Sequence, residues 1–204
     1  MLHPWDMFTA RSRIAALTIA ACALAPCLPS AATPQVSIDS EREGDRITFS
    51  ASAELNVQPR VAWQVLTDYD HLSDFIPDMK SSRVVLRTAD GVLLEQKGEF
   101  GFLFFRQAID VTLAVYEEPQ RRIIARAVAG NLRDMEGRYD LVASAHGVRL
   151  AYAGRFTPDF YLPPLIGTAI LRSSMTKQFR AMIAEIERRD ALARRRTGSR
   201  PQPK

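Results

Sequence analysis

From residue 46 to 57 apolar and polar residues alternate without a break. Ile47, Phe49, Ala51, Ala53, Leu55 and Val57 fall on one side, and Thr48, Ser50, Ser52, Glu54 and Asn56 on the other. That period of two predicts a half-buried strand. Pro59 then opens a short helix whose inward residues are Val61, Ala62, Val65 and Leu66, and residues 71–76 form a second short helical turn stopped by Pro77. From there the pattern is all strand: 82–88, 92–100, 106–116, 121–129, 135–143 and 148–157, separated by turn residues such as Asp90-Gly91 and Ala145-His146-Gly147. The last element is a helix over 163–189, with Pro163 at its start and Lys and Arg gathered at its end. On a wheel of about 100° per residue, Leu165, Ala169, Met175, Phe179, Met182, Ile183 and Ile186 share one arc, with Arg172 and Thr176 in its middle.

The element order is therefore strand, two short helices, six strands, long helix. Six hairpin-linked strands form an antiparallel meander. The expectation is an α+β domain in which a seven-stranded curved sheet wraps one long C-terminal helix. The inward strand faces mix small residues (Ala125, Ala127, Ala129, Gly137, Gly154) with aromatics (Phe49, Phe100, Tyr139, Tyr152, Phe156). Small residues opposite a helix leave room, which either the helix fills or a cavity keeps.

Composition adds an address. The 204 residues are 47% hydrophobic and 25% charged, enough for one domain with a full core. Residues 1–32 read as a secretory signal: Arg11 and Arg13, an uncharged run over 14–28, and small residues at Ser30 and Ala32 before a cut after Ala32. The periplasm is the expected location. Ile19-Ala20-Ala21-Cys22 offers a second reading, a lipobox with Cys22 lipidated. Both cysteines, Cys22 and Cys27, lie in this segment, so a chain starting at Thr33 has no disulfide or thiol chemistry. Residues 33–45 are expected to be a loose leader, 46–189 the ligand-binding domain, and 190–204 a disordered basic tail. The formal charge of +4 comes from that end: Arg188 to Lys204 holds seven basic residues against Asp190 alone. The body of the domain is slightly acidic, which argues against a nucleic-acid-binding face. The tail could add attraction to an anionic membrane.

Several segments resemble a known family. They are Pro59, Trp63 and Leu66, then Asp68-Tyr69-Asp70, Phe75-Ile76-Pro77-Asp78-Met79, the run Gly130-Asn131-Leu132-Arg133-Asp134-Met135-Glu136-Gly137-Arg138-Tyr139, and Pro163-Pro164-Leu165. Together they resemble the helix-grip fold of START-like (SRPBCC) proteins, and within it the polyketide cyclase/dehydrase and coenzyme-Q-binding group, over about residues 46–188. The resemblance implies a cavity between sheet and C-terminal helix that holds an apolar ligand. Members differ in activity, so the fold alone does not assign chemistry.

The residues themselves offer no catalytic set. His71 and His146 lie far apart in sequence and give no metal-ligand spacing, and neither a phosphate loop nor a nucleophile elbow is present. Asp68, Asp70, Asp74 and Asp78 read as capping and turn residues. No catalytic residue, metal or cofactor is implied. The ligand-binding candidates are Phe75, Met79, Gln96, Phe100, Phe102, Tyr139, Tyr152, Phe156, Leu165, Ala169, Arg172 and Thr176. Arg172 on an apolar helix face needs a partner, either a sheet carboxylate such as Glu95, Glu99 or Glu136, solvent, or a ligand's polar head. The expected function is a monomeric, exported carrier or sensor of a lipid or other apolar molecule. The alternatives are a cyclase- or dehydratase-like enzyme using Arg172 with Tyr139 or Tyr152, and a toxin-like interaction module.

Overall fold

In the computed structural model of the chain, residues 36–102, 105–162 and 167–198 are described, and among them eight strands form a single sheet. The elements are β1 (Val36–Glu43), β2 (Arg46–Leu55), α1 (Pro59–Leu66), a 3-10 helix (Tyr69–Asp74), β3 (Met79–Arg87), β4 (Val92–Phe102), β5 (Phe105–Glu118), β6 (Arg122–Gly130), β7 (Leu132–Ser144), β8 (Gly147–Pro158) and α2 (Gly167–Gly198). The expected export signal, 1–32, lies outside the described residues. All pairings are antiparallel, in the order β1-β2-β8-β7-β6-β5-β4-β3, so the first alternating strand joins the last one and the rest run as a meander. This is the expected helix-grip architecture with one strand more.

The extra strand corrects the expectation for 33–45. From residue 36 on the segment is not a loose leader: β1 pairs with β2 along its whole length, from Val36 opposite Ala53 to Glu43 opposite Arg46. Gly44, at φ 60°, makes the tight turn between them.

The sheet curls because several ladders are interrupted. Register shifts occur in β3–β4 at Met79/Ser81 and Val84/Leu86, in β5–β6 at Thr112/Leu113, and in β7–β8 at Arg133/Glu136. Each extra residue bends its strand and raises the local twist. Gly130 and Asn131, part of the run that carries the family resemblance, serve this bend. Gly130 has φ 109°, and a Cβ there would collide with the Asp110 carbonyl. The Asn131 amide donates from Nδ2 to the Ala108 carbonyl at 2.8 Å and accepts the Asp110 N–H on Oδ1 at 3.1 Å.

On the concave face lie Phe49, Ala51, Leu94, Val111, Leu113, Val115, Ile123 and Leu150, all buried. The rear of α2 packs on them through Phe179, Met182, Ile183 and Ile186. Ile186 is fully buried, a contribution of roughly 2 kcal/mol relative to leaving it exposed.

The far end of α2 is a second correction. The chain from 190 to 198 is helix, not a disordered tail. The physical reason is Asp190, whose carboxylate is buried and accepts the Gln58 N–H at 2.9 Å, at the start of α1. It also pairs with Arg194, whose Nη2 donates to the Asn56 carbonyl at 2.9 Å.

Through the residue just before Asp190, α2 is clamped to the 3-10 helix. Arg189 Nη1 donates to Asp68 Oδ2 at 2.7 Å, its Nε donates to Glu185 Oε1 at 2.6 Å, and His71 Nδ1 meets Asp68 Oδ1 at 2.6 Å. Burial alone would raise the Asp68 carboxyl, but hydrogen bonds from Arg189 and His71 hold it below its ordinary value. The Asp68 hydrogen bond and charge raise His71. A raised imidazole contributes stability that is full below its unfolded value near 6.5 and lost as pH climbs through the folded value. His71→Gln is therefore expected to lower the thermal midpoint at about pH 5.5 and to leave it unchanged near pH 9. The test is the difference between the two melting curves across that range. A constant offset would mean that the protonated ring contributes nothing.

Candidate functional site

Between the concave sheet face and the front half of α2 lies a chamber of about 260 Å³, partly open at its edge. That is just under the ~300–1,000 Å³ usual for small-molecule pockets, so a compact ligand, or one short section of a long one, fits without rearrangement. The floor comes from alternating residues of β4 to β8, which period-two geometry puts on one face: Leu94, Gln96, Gly98 and Phe100 of β4, Ile109, Val111, Leu113 and Val115 of β5, Ile123 and Ala125 of β6, Gly137 and Tyr139 of β7, and Tyr152 and Phe156 of β8. The roof is Leu171, Ser174, Met175, Gln178, Phe179 and Met182 of α2, spaced three and four apart. Leu66, Tyr69, Leu72 and Met79 close one side. Ala125 and Gly137 face each other across β6 and β7, and the expected gap at these small residues is real.

The polar groups facing this space are few. Tyr139 and Tyr152 are register partners with ring centroids 4.7 Å apart. Tyr152 also lies 6.0 Å from Phe49 and folds back along its strand, so that its hydroxyl rests over Gly137 and Gly154. A side chain at Gly154 would collide with that hydroxyl. Burial pushes the Tyr152 phenol up to about 12. Burial, and then the neighbouring Tyr152, push Tyr139 up as well. Both therefore stay neutral donors at physiological pH. The Tyr69 hydroxyl is committed elsewhere, donating to Glu117 Oε1 at 2.9 Å. Gln96 Nε2 donates to Ser82 Oγ at 3.1 Å, leaving its carbonyl oxygen as an acceptor. Two charged residues at the edge are paired: Lys97 with Asp110, and Glu99 with Lys80 and Arg106.

Of the residues singled out from sequence, Met79, Gln96, Phe100, Tyr139, Tyr152 and Phe156 line the chamber. Leu165 and the side chain of Phe102 lie outside the described residues. The other four are placed elsewhere. Arg172 is exposed, and its Nη2 donates to the Ile38 carbonyl of β1 at 3.0 Å, so its partner is neither a ligand nor a sheet carboxylate. Thr176 Oγ1 donates to the Arg172 carbonyl at 2.6 Å, and Ala169 is exposed. Phe75 packs beside Arg189, whose guanidinium carbon is 5.8 Å from the ring centroid. The expected phase of the helix does not hold at its front. The arc facing the chamber runs through 171, 174, 175 and 178, about 140° around the helix from the arc through 169, 172 and 176. Ser174 and Gln178 were missed for the same reason.

The acidic residues of the inter-helix region have structural roles. Asp68 belongs to the clamp described above, Asp70 Oδ1 accepts the Val84 N–H at 2.7 Å, and Asp78, at φ 65°, offers its carbonyl to the Glu99 N–H at 2.8 Å. Among the described residues no group of three His, Cys, Asp or Glu is placed to hold a metal ion. A second hollow, of about 650 Å³, lies open to solvent, bordered by Thr48, Ser50, Ala153, Arg155, Glu136 and Arg172. Within it Glu136 is paired with Arg126 at 3.0 Å and Arg155 at 3.5 Å.

Comparison with known proteins follows the same lines. A family model described as polyketide cyclase / dehydrase and lipid transport matches residues 55–183. A search of curated proteins returned no match. Among solved structures, a STAR-related lipid transfer protein from Xanthomonas axonopodis superposes with a TM-score of 0.59 at 13% identity, covering 74% of this chain and 93% of that one. The Zhui aromatase/cyclase from Streptomyces sp. R1128 gives 0.57 at 14%, covering 76% and 96%. A START superfamily protein from Mycobacterium smegmatis gives 0.55 at 14%, covering 74% and 99%. At such identities the likeness is one of fold.

Proposed function

Since the chain belongs to the polyketide cyclase / dehydrase and lipid transport family, we propose that it is an exported START-like binding protein that carries or senses a lipid or another apolar small molecule between its sheet and α2. The observation that carries this reading is the chamber itself: bounded by β4 to β8 and α2, lined almost throughout by aliphatic and aromatic side chains, and given direction by a few neutral hydroxyls and amides. Export rests on the charged, apolar and small-residue order of the first 32 residues. The periplasm is the compartment we infer, with a cut after Ala32 rather than lipidation at Cys22. The arginines at the end of α2 would attract an anionic membrane surface.

The experiment is purification of the protein from its own cells followed by solvent extraction and mass spectrometry. An apolar molecule released in stoichiometric amount is the expected result. An empty protein that also fails to take up a fluorescent apolar dye would count decisively against the reading. An alkaline phosphatase fusion after residue 40 tests export; activity is expected only if the segment leads the chain out of the cytoplasm.

A second reading, an enzyme of cyclase or dehydratase type, is favoured by Tyr139 and Tyr152, whose rings are adjacent on the chamber floor. Both would polarise a carbonyl as neutral donors. Neither serves as a base near neutral pH, because burial holds each phenol protonated. Arg172 has no part in it, because it points away from the chamber. Unchanged turnover with phenylalanine at both tyrosines would remove this reading.

A further inference from the structure

Three threonines on the helices or at their ends turn their hydroxyls back to their own chain. Thr67, Thr176 and Thr197 each donate to the carbonyl four residues before, at 2.9, 2.6 and 3.0 Å. Ser174 breaks the pattern. Its residue is 6% exposed, its Oγ has no hydrogen-bond partner, and it stands in the chamber roof one turn before Gln178. A buried hydroxyl left unpaired lowers the stability of the empty protein. Moving it back onto its own helix would satisfy it, as the neighbouring Thr176 shows. The position is explained if a ligand supplies the missing acceptor.

We propose that Ser174 is a specificity-determining contact of the chamber: its Oγ donates to a carbonyl oxygen of an uncharged apolar ligand, facing the hydroxyls of Tyr139 and Tyr152 on the floor. The inference rests on the binding reading above and narrows it to a chemical class. The ligand is uncharged because Arg172 points outward and Lys97 is committed to Asp110 at the edge. A carboxylate would be stripped of water with no cation to meet it. The ligand, or the part of it inside, is compact because the chamber holds about 260 Å³. It carries a polar group because Ser174 Oγ faces this space without a partner in the protein, beside the phenols of Tyr139 and Tyr152, and a carbonyl is a neutral group that can accept from such a hydroxyl.

The test uses three probes of one shape on the full protein: 1-acetonaphthone, 1-ethylnaphthalene and 1-naphthoate, titrated by displacement of a bound dye. Wild type is expected to prefer the ketone and to reject the carboxylate. Ser174→Ala should weaken the ketone by about tenfold, the ordinary worth of one hydrogen bond, and leave the hydrocarbon unchanged. The same substitution should raise the thermal midpoint of the empty protein, since it deletes an unpaired polar group. Ser174→Cys, which keeps the shape and weakens the donor, should lose the ketone preference too, and so guards against a folding defect in the alanine variant. Equal loss of ketone and hydrocarbon, or no loss of either, would overturn the role of Ser174 while leaving the chamber as a binding site. Carboxylate binding as tight as the ketone would overturn the uncharged class. Failure of every probe to bind wild type would overturn the inference together with the binding reading.

Discussion

Ala125→Phe is expected to leave the fold standing and to abolish binding in the chamber. Ala125 lies in the middle of β6, opposite Val115 of β5 and Gly137 of β7, and its side chain faces the space under α2. Phenylalanine is favoured in strands, and here its ring would enter empty volume rather than a packed core. The usual overpacking cost of about 1–3 kcal/mol therefore should not apply in full. A benzyl group takes a large share of 260 Å³, so a ligand must leave or the helix must lift. Affinity for an apolar dye is expected to fall by more than about tenfold, the equivalent of ~1.4 kcal/mol, and any co-purifying molecule should disappear from the extract. Ala153→Phe, in the open hollow on the other side of the sheet, should change neither. If Ala125→Phe binds as wild type does and Ala153→Phe does not, the ligand occupies the outer hollow and the chamber is a packing defect.

How far the sequence foretold this site depends on how evenly each element is buried. β2 and the strands from β4 to β8 bury one face and expose much of the other, so their alternation was plain, and with it went the floor residues Gln96, Phe100, Tyr139, Tyr152 and Phe156. β1 is an edge strand. Its inward positions, Val36, Ile38, Ser40 and Arg42, are only half-buried and two of them are polar, so periodicity gave no signal and the segment read as a leader. The error spread: with β1 absent, the Ile38 carbonyl was not available as the acceptor for Arg172, and the guanidinium looked like a group in search of a ligand.

The helix shows a second cause. A single wheel assumes one buried face along the whole length. α2 crosses a curved sheet, and its front presents Gly167, Leu171 and Ser174 inward while its rear presents Phe179, Ile183, Ile186 and Asp190. The stronger rear pattern sets the phase of a single wheel and hides that of the front. A serine and a glutamine in the roof carry no hydrophobic signal, so Ser174 and Gln178 become visible only when the sheet beneath them is known. The signal available in sequence is the local phase of Leu171 and Met175 taken apart from the rear turns.

Asp190→Ala is expected to be among the most destabilising changes a single polar residue here can undergo. The Asp190 residue is 3% exposed, far below what its place in a run of arginines suggests. Its carboxylate accepts the Gln58 N–H at 2.9 Å, where α1 begins and backbone donors lack partners within the helix. It also holds Arg194, which in turn donates to the Asn56 carbonyl. Alanine leaves a backbone donor unsatisfied and releases α2 from the loop between β2 and α1. Removing one partner of a buried pair costs about 3–5 kcal/mol. Arg194 is half-exposed and can turn to water, so a loss of about 2–4 kcal/mol is expected, or a fall in thermal midpoint on the order of 10 °C. Asp190→Asn keeps an acceptor for the Gln58 N–H and should lose less. Truncation after Arg189 removes the same contacts and should match Asp190→Ala. If the truncated protein melts as wild type does, the last turns of α2 contribute nothing and the basic end is a tail after all. If it melts early, the arginines of this segment are held on a fixed helix, and any membrane they meet is met by a rigid surface tied directly to the roof of the chamber.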